Sequence, residues 1–592
     1  MTAKNEIRIG VFICHCGKNI AGGLDIESLV ESSKKIQGVV FVIEHKFSCS
    51  EDGQEAVQRA IQDRELDRVV IAACDPALHL LTFQRCGERA GIKPEFVDLI
   101  DIRKWTMQGS PQKIESQQAL ERSKKLIELA VKRIRLKRIL PSVEVEPNRS
   151  ILVIGGGVAG LTAGLDLADK GYKVHIVERQ PTVGGKMALL YKVFPTNDCA
   201  PCILAPKTAY ANVHPQIDLL THAEVKSVEG YIGNFAVEVI QKPRYIDETK
   251  CTGCGECIET CPVKVDDEAY SGGLGHRKAI YIPYDQAIPK KAVVDAHNCL
   301  YIKKNVCRLC ENVCPTDAID FEQRTRVVEL KVGAIIVATG FDEYEPFEKT
   351  EYGYGRYGNV ITQFQLARLL DIDGPTGGNL SRPTDSREPK KIVMIQCVGS
   401  RDKNTHDYCS NICCMYALKH AQMIKGMVLT DSEIYICFID MRTVGKDFEK
   451  YYRSTRELGV HFIRGRPNEI IEDPDTKNLL IKVEDPDIGQ FLEIEADLVV
   501  LSCATIPSSG TEQLSKVLGI AQDENGFFKE VHPKLRPVET NVRGIYICGA
   551  AQGPKDIPDS IIQANAAASF ADGELRKAKI KLPKFMVNAK SP

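Results

Sequence analysis

The sequence predicts a multidomain α/β protein built on parallel sheets. Its 592 residues are more than one hydrophobic core organises, so we expect several domains. Over the first 140 residues, apolar strands alternate with helical segments, a pattern typical of a parallel sheet. A glycine-rich strand–turn–helix pattern begins near residue 150, and another buried strand begins at residue 391.

Charge, hydropathy and cysteine usage exclude several classes of protein. The 77 basic and 79 acidic residues nearly cancel, so no nucleic-acid partner is expected. No apolar run reaches the roughly eighteen residues of a membrane span, and MTAKNEIRIGVFICHCG is not a leader peptide. The 22 cysteines lie in tight clusters, which in a reducing cytosol indicate metal binding or redox chemistry. We therefore predict a cytoplasmic metalloprotein.

The first predicted domain collects cysteines at strand ends. IRIGVFICHCG, VVFVIEHKFSCS and LDRVVIAACDP each read as a strand that ends in cysteine. Ligands bind beyond the carboxyl ends of parallel strands, so we expect an iron–sulfur cluster there. The alternative is that the cysteines are small buried hydrophobic residues. The four are Cys14, Cys16, Cys49 and Cys74. Residues 111–140 read as a long connecting helix with one apolar face.

A glycine-rich turn gives the clearest nucleotide-binding motif. In ILVIGGGVAGLTAGLDLADKGYKVHIVERQPTVGGK, a strand enters Gly155-x-Gly157-x-x-Gly160, a helix follows, and a second strand ends at Glu178. Gly155 permits the tight turn, Gly157 lets the backbone approach a pyrophosphate, and Gly160 lets helix and strand pack closely. The pyrophosphate is expected over the helix N-terminus, and Glu178 beside the ribose hydroxyls.

Two later stretches favour FAD over NAD as the nucleotide. VGAIIVATG and VRGIYICGAAQGPKDIPDSIIQANAAA resemble the later nucleotide-contacting segments of two-domain flavoproteins such as thioredoxin reductase. There an aspartate commonly follows the second segment's glycine, whereas here Ala550 follows Gly549. The expected cofactor contacts are Gly155, Gly157, Gly160, Glu178, Arg179, Gly184, Gly185, Lys186, Thr339, Gly340, Gly549, Ala550, Asp556 and Asp559.

Two cysteine runs predict an inserted ferredoxin domain at residues 246–325. KCTGCGECIETCPVKV has the bacterial ferredoxin spacing, in which the fourth cysteine serves the other cluster, and CRLCENVCPTDAI supplies the partner motif. A structural zinc site would not explain two runs that each close in Cys-Pro. The loop LYIKKNV, between Cys299 and Cys307, is unusually long. Crossed ligation assigns Cys251, Cys254, Cys257 and Cys314 to one 4Fe–4S cluster, and Cys261, Cys299, Cys307 and Cys310 to the other.

Residues 391–495 occupy the place of a second nucleotide-binding domain but carry cysteines where glycines are expected. Only Gly399 follows the strand KIVMIQCVGS, and CSNICCMYALKHAQMI continues as a helix. Without glycines the backbone cannot approach a pyrophosphate, so dinucleotide binding is not expected there. The helix N-terminus favours thiolates and an anionic cluster. An irregular 4Fe–4S site is predicted, with a redox disulfide or buried packing as alternatives; its cysteines are Cys397, Cys409, Cys413 and Cys414.

One cysteine pair has no assigned role. Cys199 and Cys202, in PTNDCAPCILAPK, follow the glycine pair of the cofactor motif and are expected near the isoalloxazine. They could form a dithiol, supply extra cluster ligands or pack in the interior, and the sequence leaves that choice open. Cys437, Cys503 and Cys548 lie in apolar strands and are expected in the core.

Motifs along nearly the whole chain resemble the A-type subunit of heterodisulfide reductase, in the order of that family. They are CHCG, VVIAACDPALH, GGGVAG with VERQPTVGGK, CILAPK, the ferredoxin insert, CSNICC, FIDMRTVGKDFEKYYR and GAAQGPKDIPDS. The resemblance implies an oxidoreductase subunit of anaerobic metabolism whose FAD splits an electron pair between a disulfide branch and ferredoxin. It also implies B- and C-type subunits, ferredoxin, and a hydrogenase, formate dehydrogenase or NADH-oxidising module, in a dimer of complexes. Longer members carry another C-terminal ferredoxin module, which we expect a partner to supply.

The predicted architecture is therefore a parallel α/β domain followed by a thioredoxin-reductase-like, two-domain FAD flavoprotein with an inserted bacterial-type ferredoxin. Its segments are 1–140 (cluster-binding), 148–245, 326–390 and 496–592 (FAD-binding), 246–325 (ferredoxin) and 391–495 (degenerate nucleotide-binding). We expect one FAD and four 4Fe–4S clusters. Besides an electron-transfer subunit, the sequence is compatible with a self-contained disulfide reductase that uses Cys199 and Cys202, or with an electron-storage protein.

Overall fold

The computed structural model describes residues 6–106 and 115–588, which form two compact units. The first unit extends to Ser142 and includes residues 532–535. The second extends from Val143 and contains the rest of the described chain. Both units contain parallel sheets flanked by helices, so the predicted α/β multidomain class is confirmed.

A four-stranded parallel sheet is the basis of the first unit. Its central strand is buried throughout, with Ile9, Val11 and Ile13 in one apolar cluster and Phe12 and Cys14 in another, because successive side chains point to opposite faces. The strands, in spatial order, are Val39–His45, Ile9–Cys14, Arg68–Ala73 and Val97–Asp101. The longer helices are Ile26–Lys34, Glu51–Asp63, Pro76–Arg89 and Ser116–Leu136.

The helix Ser116–Leu136 belongs to the core of the first unit, so its interpretation as a connector was wrong. Its apolar face, which includes Ile127, Val131 and Ile134, is buried in the same cluster as the central strand. Part of the predicted helix, residues 111–114, lies outside the described residues. Within residues 6–106 and 115–588, no helix has the length and apolar character needed to cross a membrane.

The first parallel sheet of the second unit carries the glycine-rich turn. The strand Ser150–Ile154 pairs on both sides and is buried, because helices and a small antiparallel sheet cover its two faces. The five strands, in spatial order, are Ile217–Thr221, Lys173–Glu178, Ser150–Ile154, Ala334–Val337 and Ile545–Ile547. The helices are Val158–Asp169, Ala200–Val213 and Ile557–Leu575, and the antiparallel strands are Ala223–Tyr231, Asn234–Gln241 and Arg326–Val332.

The second parallel sheet also has five strands and includes segments outside residues 391–495. Val360–Thr362 and Leu498–Cys503, both assigned to the FAD-binding segments on sequence, pair within it. Those boundaries therefore need correction, because a parallel sheet joins strands that are distant along the chain. The strands, in spatial order, are Val360–Thr362, Leu498–Cys503, Lys391–Val398, Glu433–Phe438 and His461–Arg464. The helices are Gln363–Leu370, Cys413–Met423 and Phe448–Glu457, and an antiparallel sheet contains Pro467–Glu472, Leu479–Asp485 and Gln490–Ala496.

The segment between the strands Asn234–Gln241 and Arg326–Val332 forms a small domain of hairpins and short helices. A bridge between Ile246 and Ile319 closes its base, and a compact apolar cluster contains most of its cysteines. The helices are Glu256–Thr260, Glu268–Ser271, Leu300–Lys304 and Leu309–Asn312. The hairpins pair Lys264–Asp266 with His276–Lys278, and Ile280–Tyr281 with Val293–Val294.

Candidate functional site

The ferredoxin cysteines surround two separate cavities in the inserted domain. One is lined by Cys251, Cys254, Cys257 and Cys314, and the other by Cys261, Cys299, Cys307 and Cys310. This division has the pattern of crossed ligation, with the fourth cysteine of each run facing the cavity of the other run. The clusters themselves remain a prediction.

The unusual loop before Cys307 has a defined conformation. Residues Leu300–Lys304 form a short helix that begins directly after Cys299 and ends at Asn305, whose φ is 56°. This turn reverses the chain, so that Cys299 and Cys307 line the same cavity despite seven intervening residues.

Two lysines place positive charge beside these cysteines. The ammonium of Lys278 donates to the carbonyl oxygen of Cys261 at 2.6 Å, and that of Lys291 donates to the carbonyl oxygen of Cys251. Burial and the neighbouring thiols raise the pKa of Cys257 to about 12 and that of Cys310 to about 11. Deprotonating such thiols costs free energy unless a cation stabilises them, which is what iron ligation provides.

A large cavity of about 700 Å³ opens at the glycine-rich turn. A Cβ atom on Gly155 would lie 2.3 Å from the carbonyl oxygen of Ala338, and one on Gly185 would lie 3.0 Å from Cα of Gly157. Two backbone segments therefore approach each other without side chains, and the helix Val158–Asp169 begins at this point with no side-chain cap. These features fit a pyrophosphate, which the free amide groups of the helix would bind.

Polar atoms in the cavity wall also fit a dinucleotide. The hydroxyls of Thr339 and Tyr270 are buried without a hydrogen-bond partner, although both residues line the cavity. The carboxylate of Glu178 accepts hydrogen bonds from the amides of Gly156 and Gln180, both at 2.7 Å, which fixes it at the end of its strand. Burial raises the pKa of Glu178. These groups would meet the polar parts of FAD.

Most of the expected cofactor contacts line this cavity. Those that do are Gly155, Gly157, Glu178, Arg179, Gly184, Gly185, Lys186, Thr339, Gly340, Ala550 and Asp556. Gly160 and Gly549 do not, because they serve packing: a Cβ on Gly160 would lie 1.9 Å from the carbonyl oxygen of Gly155, and one on Gly549 2.9 Å from Cβ of Ala159. Asp559 is exposed outside the cavity, since its place in the first helical turn turns it to solvent, so its assignment needs correction.

The cavity also contains buried ionisable groups that the motifs did not indicate. Lys419 is buried, which lowers its pKa to about 7, and its ammonium donates to the carbonyl oxygens of Leu190 and Lys192 at 3.3 and 3.0 Å. Burial lowers the pKa of Lys555 to about 8 and raises that of Glu343 to about 7.

Two cysteines expected only in the core also belong to the cavity. Cys503, at the end of its strand, and Cys548, directly after the strand Ile545–Ile547, are fully buried, as predicted, yet both line the cavity wall. Their strands end at this edge of the sheets, and that end position was the one sequence signal available for them.

The turn after the strand Lys391–Val398 contains cysteines where the turn after the strand Ser150–Ile154 contains glycines. The thiols of Cys397, Cys413 and Cys414 interact with one another at the end of the strand Lys391–Val398 and the start of the helix Cys413–Met423. The thiol of Cys413 lowers the pKa of Cys397 to about 7, with help from two arginines, Arg401 and Arg466.

Cys409, the fourth predicted ligand, lies in the loop before this helix. Its sulfur accepts a hydrogen bond from the amide of Asn411 at 3.3 Å, and it lies near Arg442, whose amide contacts Cys414. A cluster here would therefore have three gathered ligands and one on an adjacent loop. In the described parts of the chain, no group of three or more His, Cys, Asp or Glu side chains converges as the ligands of a single metal ion do.

The four predicted ligands of the first unit lie at one sheet edge. Cys14 ends its strand, Cys16 follows with a φ of 48°, and Cys74 comes directly after the strand Arg68–Ala73. Cys49 precedes the helix Glu51–Asp63 and packs in the same group of apolar side chains as the other three cysteines. Burial and the neighbouring thiols raise the pKa of Cys74 to about 12 and also raise that of Cys49.

Comparison with known proteins identifies the family. Residues 153–191 match the model of a NAD(P)-binding Rossmann-like domain, and residues 244–265 match a 4Fe-4S binding domain. The first A-type iron-sulfur subunit of CoB–CoM heterodisulfide reductase from Methanopyrus kandleri is 50% identical over 588 residues, 98% of this chain and 87% of that protein. The chain belongs to the family of heterodisulfide reductase A-type subunits.

A second relative supports this assignment. The A-type subunit of Methanocaldococcus jannaschii is 48% identical over 581 residues, 97% of this chain and 87% of that protein. Among solved structures, thioredoxin reductase of T. acidophilum aligns with 72% of this chain and 100% of its own, at 14% identity and a TM-score of 0.41. With its glycine turn and ferredoxin motif, this member of the A-type family is an iron–sulfur flavoprotein.

Proposed function

We propose that the chain is the flavin subunit of a heterodisulfide reductase-like complex and distributes electrons from FAD to one-electron iron–sulfur centres. FAD would supply the two-electron chemistry. The proposal extends to electron bifurcation, in which one branch leads to a disulfide-reducing B- and C-type subunit pair and the other to ferredoxin. The names of relatives mention CoB–CoM heterodisulfide, ferredoxin, H2 and formate, so a hydrogenase or a formate dehydrogenase is the proposed donor. The family resemblance adds an NADH-oxidising module as a third candidate donor.

The observation that supports the proposal is that the inserted domain contributes residues to both kinds of site. The inserted domain contains both cysteine-lined cavities, and its residues Glu268, Tyr270 and Tyr284 also line the large cavity. The hydroxyl of Tyr284 donates to the carbonyl oxygen of Val183 at 2.8 Å, which holds the insert against the glycine-rich segment. A flavin in this cavity would therefore lie against the same domain that contains the predicted clusters.

Buried ionisable groups would balance charge when the cofactor changes its oxidation state. Lys419 and Glu343 each have a pKa of about 7, so near pH 7 the protonated and deprotonated forms of each side chain differ little in free energy. The hydroxyl of Thr362 donates to the carboxylate of Glu343 at 2.7 Å and fixes its orientation. Both residues can therefore hold or release a proton inside the cavity.

Light-driven reduction of the FAD-loaded, anaerobically reconstituted chain tests the proposal. Illumination with a sacrificial donor reduces the flavin, and we expect cluster signals in electron paramagnetic resonance spectra to rise with it. The matched control is Gly157→Val, which should lose FAD but keep its iron and should show no light-driven signal. A fully reduced flavin beside clusters that stay oxidised would reject the proposal and favour an electron-storage or scaffold protein.

The self-contained disulfide reductase is the weaker candidate. Cys199 and Cys202 are joined in a disulfide, which a dithiol enzyme requires, but neither residue lines the large cavity. A double Cys199→Ala, Cys202→Ala variant separates the two functions. We expect it to retain light-driven cluster reduction, whereas loss of disulfide reduction with iron and FAD intact would favour the dithiol enzyme.

A further inference from the structure

A single disulfide is present in the described part of the chain. It joins Cys199 and Cys202, while the other 20 cysteines are free. Cys199 is the N-cap of the helix Ala200–Val213, and its sulfur accepts a hydrogen bond from the amide of Cys202 at 3.2 Å. The bond therefore lies at the N-terminus of a four-turn helix whose other face is buried.

The two sulfurs differ in exposure and in electrostatic environment. Cys202 is exposed, so an external thiolate can reach its sulfur, whereas Cys199 is half-buried. The helix N-terminus and the amide of Cys202 favour negative charge on Cys199. In thiol–disulfide exchange the more acidic sulfur leaves more readily. Both factors direct attack to Cys202 with Cys199 as the leaving group.

The disulfide is separate from the sites described above. Neither cysteine lines the large cavity or the two ferredoxin cavities. Cys199 nevertheless pairs with Lys192 in a short antiparallel hairpin, and Lys192 and Val193 belong to the wall of the large cavity. The amide of Ala200 also donates to the carbonyl oxygen of Tyr191 at 2.8 Å. The disulfide thus lies on the outer strand of a hairpin whose inner strand faces the cavity.

We propose that Cys199 and Cys202 form a thiol–disulfide exchange site that reacts with thiols from solvent. An external thiolate attacks the sulfur of Cys202, the Cys199–Cys202 bond breaks, and Cys199 leaves as a thiolate. A second external thiol attacks the mixed disulfide and releases Cys202. The external thiols are oxidised to a disulfide, the protein disulfide is reduced, and the two protons of the external thiols pass to Cys199 and Cys202. This site does not depend on the proposed flavin function.

Differential alkylation of the folded, cluster-loaded chain tests the proposal. We expect the peptide that contains both cysteines to carry no label without reductant and two labels after millimolar dithiothreitol under native conditions. The matched internal controls are Cys437 and Cys548, which are buried free thiols and should stay unlabelled in both samples. A second arm replaces dithiothreitol with a reduced protein dithiol. Reduction by dithiothreitol, or by the protein dithiol only, supports the site and shows which kind of thiol supplies the electrons.

Three results would overturn the proposal. If both cysteines are alkylated before reduction, and treatment with an oxidised thiol does not protect them from alkylation, the disulfide does not form. A bond that resists both reductants until the chain is denatured would be a structural crosslink. Loss of about four irons in Cys199→Ser would make the pair cluster ligands.

Single substitutions test the asymmetry of the two sulfurs. Cys202→Ser leaves Cys199 as a lone thiol at the helix N-terminus, and Cys199→Ser leaves Cys202. We expect Cys199 in the first variant to be alkylated roughly fivefold faster at pH 7 than Cys202 in the second, because more of it is thiolate, although Cys202 is more accessible. Faster labelling of Cys202 would refute the assignment of the leaving group.

Discussion

The two parallel sheets of the second unit use the same strand–turn–helix element in opposite ways. In the first, the strand Ser150–Ile154 leads through Gly155 and Gly157 into a helix, and the turn remains open. In the second, the strand Lys391–Val398 has Cys397 as its penultimate residue, and a longer loop leads to the helix Cys413–Met423. Both helices begin without a side-chain cap, so their first amides remain available to an anion.

The chemistry of each turn follows from the side chains that fill it. Around Gly157 the nearest atom to an added Cβ is 3.9 Å away, which leaves room for a phosphate chain. At Gly399 an added Cβ would lie 2.4 Å from the ring of Tyr344, so that ring occupies the corresponding space. Contacts among the three thiols lower the pKa of Cys397 and of Cys414 and raise that of Cys413, so two thiols favour negative charge where a phosphate supplies it in the first turn. A nucleotide-binding topology alone therefore does not decide which anion the turn accepts.

The largest expected effect comes from filling the open turn. Gly157 has a φ of −77°, so valine is tolerated by the backbone, but its methyl groups would enter the space between Gly157 and Gly185. We expect Gly157→Val to lower FAD content at least about tenfold while the iron content is unchanged. FAD is measured by absorbance after release, and iron colorimetrically. Gly573→Ala, in an open helical position, is the control. A normal FAD content in Gly157→Val would show that the pyrophosphate of FAD does not bind at this turn.

The open turn and the ferredoxin cavities could be predicted because spacing alone encodes them. The Gly-x-Gly-x-x-Gly spacing after a strand indicates a tight turn into a helix. The spacing of the two cysteine runs indicates crossed ligation of two clusters. Lys419 and Glu343 could not be predicted, because a single lysine or glutamate carries no pattern. Their burial depends on packing between the second sheet's helix Cys413–Met423 and the first sheet's cavity, which lies far away along the chain.

The domain boundaries show the same limit of local reasoning. The strand Leu498–Cys503 follows an antiparallel segment and reads as equally suitable for either parallel sheet. Only its pairing with Lys391–Val398 decides between them. Cys503 therefore belongs to the second sheet although it lines the cavity at the glycine turn.

The second largest effect tests the sulfur-filled turn. We expect Cys413→Ser to remove about four of sixteen irons per chain and to leave FAD content unchanged, because the thiol lies between two other cysteines and outside the cavity. Cys437→Ser is the control, since Cys437 is buried in the adjacent strand Glu433–Phe438. Iron assays and electron paramagnetic resonance spectra report the loss. Equal iron in both variants, or NADPH bound beside Cys397, would contradict a cluster in this turn.

A smaller effect should appear in the pH dependence of stability. It involves the helix Cys413–Met423, which begins at the cysteine-containing turn and carries Lys419 into the wall of the large cavity. Lys419 has a folded pKa of about 7 because of burial, against roughly 10.4 in an unfolded chain. Between these values the unfolded state binds more protons, so the free energy of unfolding rises with pH. Lys419→Met should make that slope shallower by up to about 1.4 kcal/mol per pH unit in the FAD-free protein.

Urea denaturation at several pH values between 7 and 9 measures this slope. Lys516→Met, at an exposed helical position, is the control and should leave the slope unchanged. Part of the rise should persist in Lys419→Met, because burial also lowers the pKa of Lys555, to about 8. Identical slopes in the wild type and Lys419→Met would mean that the ammonium is charged inside the cavity.

The smallest expected effect concerns a helix that, unlike those at the two turns, has a side-chain cap. The carboxylate of Asp556 accepts from the amide of Asp559 at 2.8 Å at the start of Ile557–Leu575, and Asp556 also lines the cavity. Asp556→Ala should lower the free energy of unfolding by about 1 kcal/mol, whereas Asp556→Asn, which keeps the acceptor, should cost less than about half of that. If Asp556→Asn instead weakens FAD binding as strongly as Asp556→Ala, its charge serves the cofactor and the cap is secondary. Equal stability of all three proteins would show that this helix, like the two uncapped ones, does not depend on a side chain at its start.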